Sequence, residues 1–297
     1  MVISSQSAVK PAAYEAGQDL TSPNRNLTPL ETGLDAHGRL QVGGCTLSEL
    51  ARTYGTPLYV LDEKTLRATC RAYRQALAEC YPGPSLALYA SKANSSLALS
   101  ALVASEGLGL DAVSAGELLT ALQGGMPADR IVLHGNNKAK EELALAVERG
   151  VTVVADNWRD LELLAELSPT FASPVRLMLR FTPGIECHTH ETVLKHLQTC
   201  RWARLSGLHA HIGSQIFELQ PHRDLAGVLA DALVLARSLG HPVEDLNVGG
   251  GLGIRYVASD DPPSIQEWVR TVAEAMVAAC RERGVELPRL LCEPGRS

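Results

Sequence analysis

The chain has 297 residues, of which 45% are hydrophobic and 20% charged, and this composition excludes a disordered or fibrous protein. The net charge of -6, without any run of Lys or Arg, argues against a surface for nucleic acid or for an anionic membrane. The seven cysteines include no CxxC pair and no apolar stretch reaches the ~18 residues of a membrane span, so we expect a cytoplasmic protein without disulfides, structural zinc or a secretion signal.

Two segments precede the main pattern of the sequence. Residues 1–26 are rich in Ser, Ala, Gln and Asn, and we expect them to form a disordered tail. Residues 27–56 include a segment bounded by glycines, 38–44, which predicts a strand or a hairpin outside the main domain. We therefore place the main domain at residues 57–297.

This main domain is predicted to begin with a strand and a helix. Residues 58–61 form a short apolar run typical of a strand, and Asp62 is a suitable N-cap for a helix from Glu63 to Cys80. The apolar face of that helix consists of Leu66, Cys70, Tyr73 and Leu77.

Eight further apolar segments alternate with amphipathic ones, which is the pattern of an α/β protein with a parallel sheet. The strands are predicted at 86–92, 108–114, 131–135, 152–156, 175–181, 205–213, 245–251 and 289–295. The helices between them include 115–123, 138–149, 157–167, 221–239 and 264–283.

An open doubly wound sheet also accommodates this alternation, but the position of the polar residues favours a TIM (β/α)8 barrel. A barrel builds its active site at the carboxyl ends of its strands. Polar or glycine residues lie near that end of all eight predicted strands: Lys92, Asp111, His134, Asp156, Arg180, His211, Gly249 and Glu293.

Lys92 is a candidate nucleophile at the mouth of this barrel. Its side chain is expected to share a face with Leu88 and Ala90 and to be desolvated there. Desolvation favours the neutral amine, which forms a Schiff base with a carbonyl group. The alternative is a lysine that extends its ammonium group into solvent at the end of a strand.

Three consecutive glycines, Gly249 to Gly251, follow the seventh barrel strand. Such a run exposes backbone N–H groups and accepts positive φ angles, and barrels often bind phosphate after strands seven and eight. The segment therefore predicts a phosphate cradle, with a flexible turn as the alternative.

Two histidines and one glutamate complete the candidate site. His209 and His211 lie two residues apart on a strand, which suits either a metal-binding pair or a histidine stacked on an aromatic ligand. Glu293 suits the protonated nitrogen of a pyridine ring, and Arg296 suits a carboxylate, although an internal Glu–Arg pair is equally consistent. Together, these parts are those needed to hold pyridoxal phosphate.

At these residues the sequence resembles the fold-type III pyridoxal-phosphate decarboxylases, which have an alanine-racemase-like barrel. Within that family, the similarity is greatest to members that act on diaminopimelate. The matching segments occur in the family order and are residues 89–94, 111–117, 134–138, 209–215, 249–253 and 293–297.

The resemblance implies a role for each candidate residue. Lys92 forms the Schiff base, His211 stacks on the pyridine ring and Glu293 pairs with its nitrogen, so that Lys92 and His211 are the expected catalytic residues. The expected cofactor-binding set is Lys92, Asp111, His211, Ser214, Gly249, Gly250, Gly251, Glu293, Gly295 and Arg296, and Arg296 is also the expected contact for a substrate carboxylate. No metal ion is expected.

The implied reaction removes the carboxylate at the D-centre of meso-diaminopimelate and yields L-lysine and carbon dioxide. Gln215 favours enzymes for diaminopimelate or arginine over those for ornithine. The resemblance also implies a homodimer with shared active sites and a small amino-acid substrate. The alternatives are a related arginine- or ornithine-type decarboxylase, a non-catalytic pyridoxal-phosphate carrier, a metal-dependent hydrolase and a Schiff-base aldolase.

The sequence departs from the family pattern in two places. A segment normally found after Glu191 is missing, so His188 and His190 are expected to lie in a loop. The chain also ends at Ser297, where the family continues into a β-domain to which residues 27–56 are expected to contribute a strand. We therefore expect this 297-residue chain to retain cofactor binding and to decarboxylate poorly.

Overall fold

The computed structural model describes residues 12–13, 27–182, 187–257 and 259–297. The predicted disordered tail, residues 1–26, lies outside the described residues apart from positions 12–13. The chain divides into two compact units. Of the described residues, one unit contains those up to Arg71 and those within 254–261, and the other contains those within 72–253 and 262–297.

The first unit contains a four-stranded antiparallel sheet in which the strands are paired in chain order. The strands are β1 (Ala12–Ala13), β2 (Thr32–Leu34), β3 (Leu40–Val42) and β4 (Cys45–Thr46), and helix α1 (Leu47–Tyr54) follows directly. The turn between β2 and β3 is held by Asp35, whose Oδ1 accepts N–H bonds from His37 at 2.9 Å and Arg39 at 2.8 Å. The predicted hairpin outside the barrel is therefore confirmed.

The predicted strand at 58–61 is wrong, because this segment pairs with no described strand. Its apolar side chains are largely exposed, and Tyr59 is 97% accessible. A short apolar run becomes a strand only where a partner supplies the ladder of hydrogen bonds. The following helix, α2 (Glu63–Cys80), is confirmed at both ends. Asp62 caps it by accepting the Thr65 N–H at 3.1 Å.

The second unit is a closed barrel of eight parallel strands, which confirms the predicted TIM barrel. Its strands are β5 (Ser85–Ala90), β6 (Gly109–Ala112), β7 (Ile131–Leu133), β8 (Thr152–Ala155), β9 (Val175–Phe181), β10 (Ala203–Ala210), β11 (Asp245–Asn247) and β12 (Arg289–Cys292). Closure comes from β12, which pairs with β5. Several strands end earlier than predicted because the residues that follow turn away into the loops of the rim.

The interior of the barrel is filled by side chains from five of its strands. Leu88, Val132, Val154, Met178 and Leu291 form a buried cluster there. Close packing of this kind leaves no channel along the barrel axis. A ligand can therefore bind only at an end of the barrel, and the polar residues predicted at the carboxyl ends of the strands mark which end.

The remaining helices surround the barrel. They are α3 (Leu97–Ser105), α4 (Ala115–Gln123), α5 (Lys140–Glu148), α6 (Trp158–Leu167), α7 (Cys187–Thr199), α8 (Gln220–Ser238) and α9 (Ile265–Glu282). Side chains cap three of them by accepting the N–H three residues on: Ser114, Asn157 and Ser264. None of the described helices combines the length and the apolar character needed to cross a bilayer.

Two of these helices were not anticipated. Helix α3 is apolar on all sides, so it lacks the periodic pattern by which the sequence reveals a helix. The prediction that His188 and His190 lie in a loop is wrong, since both residues belong to α7. The segment from Cys187 to Thr199 contains neither Gly nor Pro, and nothing in it interrupts a helix.

Candidate active site at the barrel mouth

Most of the predicted site residues converge at the carboxyl ends of the strands. A cavity of about 190 Å³ opens there. The predicted residues that line it are Lys92, His211, Ser214, Gly251, Glu293, Gly295 and Arg296. A neighbouring cavity of about 330 Å³ is lined by Lys92, His134 and Arg180 together with the loop after β7. Lys92 borders both cavities and therefore stands between them.

Lys92 lies in a single turn of 3-10 helix, Ser91–Ala93, directly after β5. Its side chain is exposed, so the expectation of a desolvated lysine is wrong. The reason is that the strand ends at Ala90, and the turn carries Lys92 beyond the packed rim of the barrel. The amine is thus open to a ligand that enters the cavity.

Hydrogen bonds of Ser91 fix the turn that carries Lys92. The Ser91 hydroxyl is buried and lies 2.8 Å from the carbonyl oxygen of Asp111 and 2.6 Å from Glu117 Oε2. The same Glu117 oxygen accepts the Val113 N–H at 2.8 Å. Neither Ser91 nor Glu117 was in the predicted site, although both lie in the matching segments. Their contacts fix the Lys92 turn to the loop after β6.

The glycine loop lies against the neighbouring loops so closely that side chains are excluded. Gly249 and Gly251 have φ angles of +66° and +111°. A Cβ at Gly249 would lie 2.7 Å from His211 Nδ1, and one at Gly250 would overlap the carbonyl oxygen of Glu293. The Gly250 N–H donates to His211 Nδ1 at 3.2 Å. This bond leaves the ring proton of neutral His211 on Nε2.

We expect Gly250→Ala to destabilise the protein by about 3 kcal/mol, because the added methyl group overlaps backbone that cannot rotate away. Urea unfolding measures this change in the free energy of unfolding. Gly227→Ala is the matched control, since Gly227 lies within α8 and its added Cβ would meet nothing closer than 3.9 Å. Equal stability of Gly250→Ala and the wild type would contradict the packing described for the loop.

Glu293 is buried beside the cavity and receives hydrogen bonds on both oxygens. Asn247 Nδ2 donates to Oε1 at 2.7 Å, and His209 Nε2 lies 3.4 Å from Oε2. Burial raises the pKa of Glu293, but His209, His134 and the Asn247 amide outweigh it and hold the pKa well below its usual range. Glu293 is thus an ionised carboxylate that can pair with a cationic ligand group.

A second acid–histidine pair, Asp111 and His134, lies next to Glu293. His134 Nδ1 is 3.3 Å from Asp111 Oδ1 and 3.8 Å from Glu293 Oε1. Burial and the Glu293 charge raise the pKa of Asp111. Burial lowers the pKa of His134, but Glu293 and Asp111 outweigh it and raise that pKa overall. His134 was recognised only as a polar residue at a strand end, because sequence spacing does not reveal a contact between three strands.

The spacing of His209 and His211 also allows a metal-binding pair, but in the structure the ring of His209 contacts that of His134. Their rings meet edge to face with centroids 4.2 Å apart. His134, His209 and Glu293 offer ligand atoms within 4.8 Å of one another, which is the donor set of a small metal site. His211 lies outside this trio and faces the cavity instead.

We expect the neutral form of His209 to make the stability of the protein depend on pH. Burial lowers the pKa of His209 to about 4, against 6.5 in an unfolded chain. Above pH 6.5 His209 is neutral in both the folded and the unfolded state. As the pH falls from 6.5 to 4, the unfolded state binds the proton more tightly, and the free energy of unfolding decreases by about 3 kcal/mol.

Urea unfolding between pH 7 and pH 4 of the wild type and of His209→Gln measures this effect. The variant should lose less stability than the wild type over this range. His222, whose pKa burial also lowers to about 4, serves as a comparison, since His222→Gln should remove a separate part of the same dependence. Parallel curves for the wild type and His209→Gln would contradict a neutral buried His209.

Comparisons with known proteins agree with this geometry. Residues 63–297 match the family described as pyridoxal-dependent decarboxylase, pyridoxal binding domain. The chain is 44% identical to the diaminopimelate decarboxylase of Synechocystis sp., with 93% of this chain and 65% of that protein aligned. It is 37% identical to the diaminopimelate decarboxylase of Bacillus subtilis, with 88% and 64% aligned.

A solved structure shows the same fold. The diaminopimelate decarboxylase of M. jannaschii, in complex with L-lysine, superimposes with a TM-score of 0.78 at 29% identity, over 89% of this chain and 66% of that one. The chain thus spans slightly less than two thirds of the length of these relatives.

Proposed function

The chain belongs to the pyridoxal-dependent decarboxylase family through its pyridoxal-binding domain, and from that premise we propose that it removes the carboxylate at the D-centre of meso-diaminopimelate, giving L-lysine and carbon dioxide. One observation carries the proposal. An exposed lysine amine, an ionised buried carboxylate and a glycine loop border a single cavity, which is lined by Lys92, Glu293 and Gly251.

The residues present fit pyridoxal phosphate. Gly251, Ser214 and Arg296 line the cavity together, and a glycine backbone, a hydroxyl and a guanidinium group suit a phosphate. Buried polar atoms of the cluster beside Glu293, namely Asp111 Oδ2, His134 Nε2 and His209 Nδ1, have no hydrogen-bond partner among the described residues. Groups of this kind are rarely left unpaired without a functional reason.

We assign the parts of the site as follows. Pyridoxal phosphate supplies a ring that delocalises the electron pair left when carbon dioxide departs. Lys92 binds the cofactor covalently through its amine, and His211 holds the ring by stacking against it. Glu293 holds a proton on the ring nitrogen through its negative charge. Asp111 and His134 lie beside Glu293 and set the charge around it.

Residues at the rim of the barrel are proposed to bind the cofactor phosphate and the substrate carboxylate. Ser214, Gly251 of the glycine loop, Gly295 and Arg296 line the cavity and are the proposed phosphate contacts, and Arg296 also suits a substrate carboxylate. The N–H groups of Gly249 and Gly250 instead bind Asn247 Oδ1 and His211 Nδ1 and fix the shape of the loop. Arg180 borders the second cavity and lies 3.2 Å from Asp156, which holds its guanidinium group in place. The reaction is proposed to occur in the cytoplasm, in a homodimer whose subunits share the active sites.

The first experiment adds pyridoxal phosphate to the purified chain and follows the absorbance spectrum before and after borohydride reduction. Peptide mapping should find the reduced cofactor on Lys92. Incubation with meso-diaminopimelate should then release carbon dioxide and L-lysine, and arginine and ornithine are the comparison substrates. Absence of the cofactor from Lys92 in folded protein would overturn the proposal.

The trio of His134, His209 and Glu293 is a specific reason to test a metal-dependent hydrolase as well. Metal analysis after dialysis against zinc measures this directly. If the proposed function is right, zinc added in place of pyridoxal phosphate does not support the decarboxylation of meso-diaminopimelate. Stoichiometric zinc together with a failure to bind pyridoxal phosphate would favour the hydrolase.

A further inference from the structure

Asn247 is a buried side chain that joins two parts of the candidate site. It ends β11 and is inaccessible to solvent. Its Nδ2 donates to Glu293 Oε1 at 2.7 Å, and its Oδ1 accepts the Gly249 N–H at 2.9 Å. Because both ends of the amide are engaged, the amide plane has one orientation that satisfies the contacts.

Backbone contacts complete a frame around this amide. The Glu293 N–H donates to the carbonyl oxygen of Gly249 at 2.8 Å. The Gly250 N–H donates to His211 Nδ1 at 3.2 Å. The Glu293 carboxylate, the glycine loop and the His211 ring are therefore linked by hydrogen bonds that run through three neighbouring loops.

We propose that Asn247 is a positioning residue that fixes the Glu293 carboxylate relative to the phosphate-binding glycine loop. This inference rests on the proposed function. The ring nitrogen and the phosphate arm of pyridoxal phosphate belong to one rigid aromatic ring, so the groups that would hold them must keep a fixed separation. A neutral amide also donates to the carboxylate without adding a competing charge.

The other groups around Glu293 perform a different task. His209 lies 3.4 Å and His134 3.8 Å from the carboxylate, and Asp111 lies beyond His134. These titratable groups set the charge around Glu293. The side-chain hydrogen bond to Gly249, in contrast, comes from Asn247.

The test is Asn247→Asp, which keeps the acceptor for Gly249 and replaces the donor to Glu293 with a second acid. At neutral pH, we expect pyridoxal phosphate to bind about ten- to a hundredfold more weakly, as for the loss of a hydrogen bond to a charged group. The absorbance maximum of the bound cofactor should shift, because Glu293 no longer holds the ring nitrogen protonated in the same way.

The dependence on pH separates positioning from simple loss of stability. Glu293 and burial raise the pKa of an acid at position 247, and below that pKa the neutral acid can again donate to Glu293. Cofactor affinity in Asn247→Asp should therefore recover as the pH falls, relative to the wild type at the same pH. Asn247→Ser, which adds no charge, should bind weakly without this recovery.

Asp245→Asn is the matched control, since Asp245 lies on the same strand at the opposite end and pairs with Arg289 at 2.8 Å. It should lower the melting temperature and leave the cofactor spectrum unchanged. If Asn247→Asp and Asn247→Ser instead bind the cofactor with the affinity and spectrum of the wild type, the inference is wrong.

Cofactor attachment in the wild type distinguishes failure of the proposed function from failure of the positioning role of Asn247. A wild-type chain that carries no cofactor on Lys92 after reduction overturns the proposed function. A wild-type chain that does carry it, beside Asn247 variants with unchanged affinity, spectrum and pH profile, overturns only the positioning role. If Asn247→Asp is not obtained folded, Asn247→Ser supplies the affinity and the spectrum that decide the matter.

Discussion

Lys92→Ala should abolish covalent attachment of pyridoxal phosphate and reduce decarboxylation by about 10³-fold or more, a loss typical of removing a covalent catalytic group. The lysine is exposed at the barrel mouth, so its removal should change the free energy of unfolding by less than about 0.5 kcal/mol. Mass spectrometry after borohydride reduction measures the attachment, and urea unfolding measures the stability.

Lys140→Ala is the control for Lys92→Ala. Lys140 is also an exposed lysine, and it pairs with Glu166 at 2.8 Å on the outer surface. This variant should keep the full extent of cofactor attachment. If the reduced cofactor maps to another lysine in Lys92→Ala at the wild-type level, the assignment of Lys92 is wrong even though the family assignment stands.

Glu293→Gln should reduce decarboxylation by about 10²–10³-fold, the size of effect seen when one preorganised electrostatic contact is lost from an active site. The amide has the shape of the carboxylate but cannot stabilise a positive charge on a ring nitrogen. The pKa of His134 should also fall, because the Glu293 charge raises it in the wild type. Steady-state kinetics and an NMR titration of the histidines measure these two changes.

Asp245→Asn serves here too, since it neutralises a buried carboxylate at the opposite end of the barrel. Its kcat should remain within about twofold of the wild type while its stability decreases. A Glu293→Gln variant with wild-type kcat and an unchanged His134 titration would show that the Glu293 charge is not used.

The order of strands and helices was accessible from the sequence because each is marked by local chemistry. Ser114, Asn157 and Ser264 cap their helices where the sequence indicates a start. The glycine run and Glu293 were recognisable because few residue types suit their tasks. The barrel itself followed from the repeated placement of polar residues at strand ends.

The features that the sequence did not reveal depend on contacts between distant segments. The Ser91–Glu117 and Asn247–Glu293 hydrogen bonds join residues that are far apart in the chain. No local sequence pattern indicates that such residues are in contact. The exposure of Lys92 depends on where β5 ends, which is a property of strand pairing. The apolar run at 58–61 shows the converse case, in which a local pattern had no partner to complete it.

Because the interior of the barrel is filled, the residues that determine resistance to unfolding differ from those that determine which substrate binds. Leu88, Val132, Val154, Met178 and Leu291 occupy the space between the two ends, so a change there alters how readily the protein unfolds and does not reshape the rim. Laboratory evolution toward a new amino acid should therefore accumulate its useful changes in the loops that follow the strands. Changes selected for heat resistance should accumulate in the interior and among the surrounding helices.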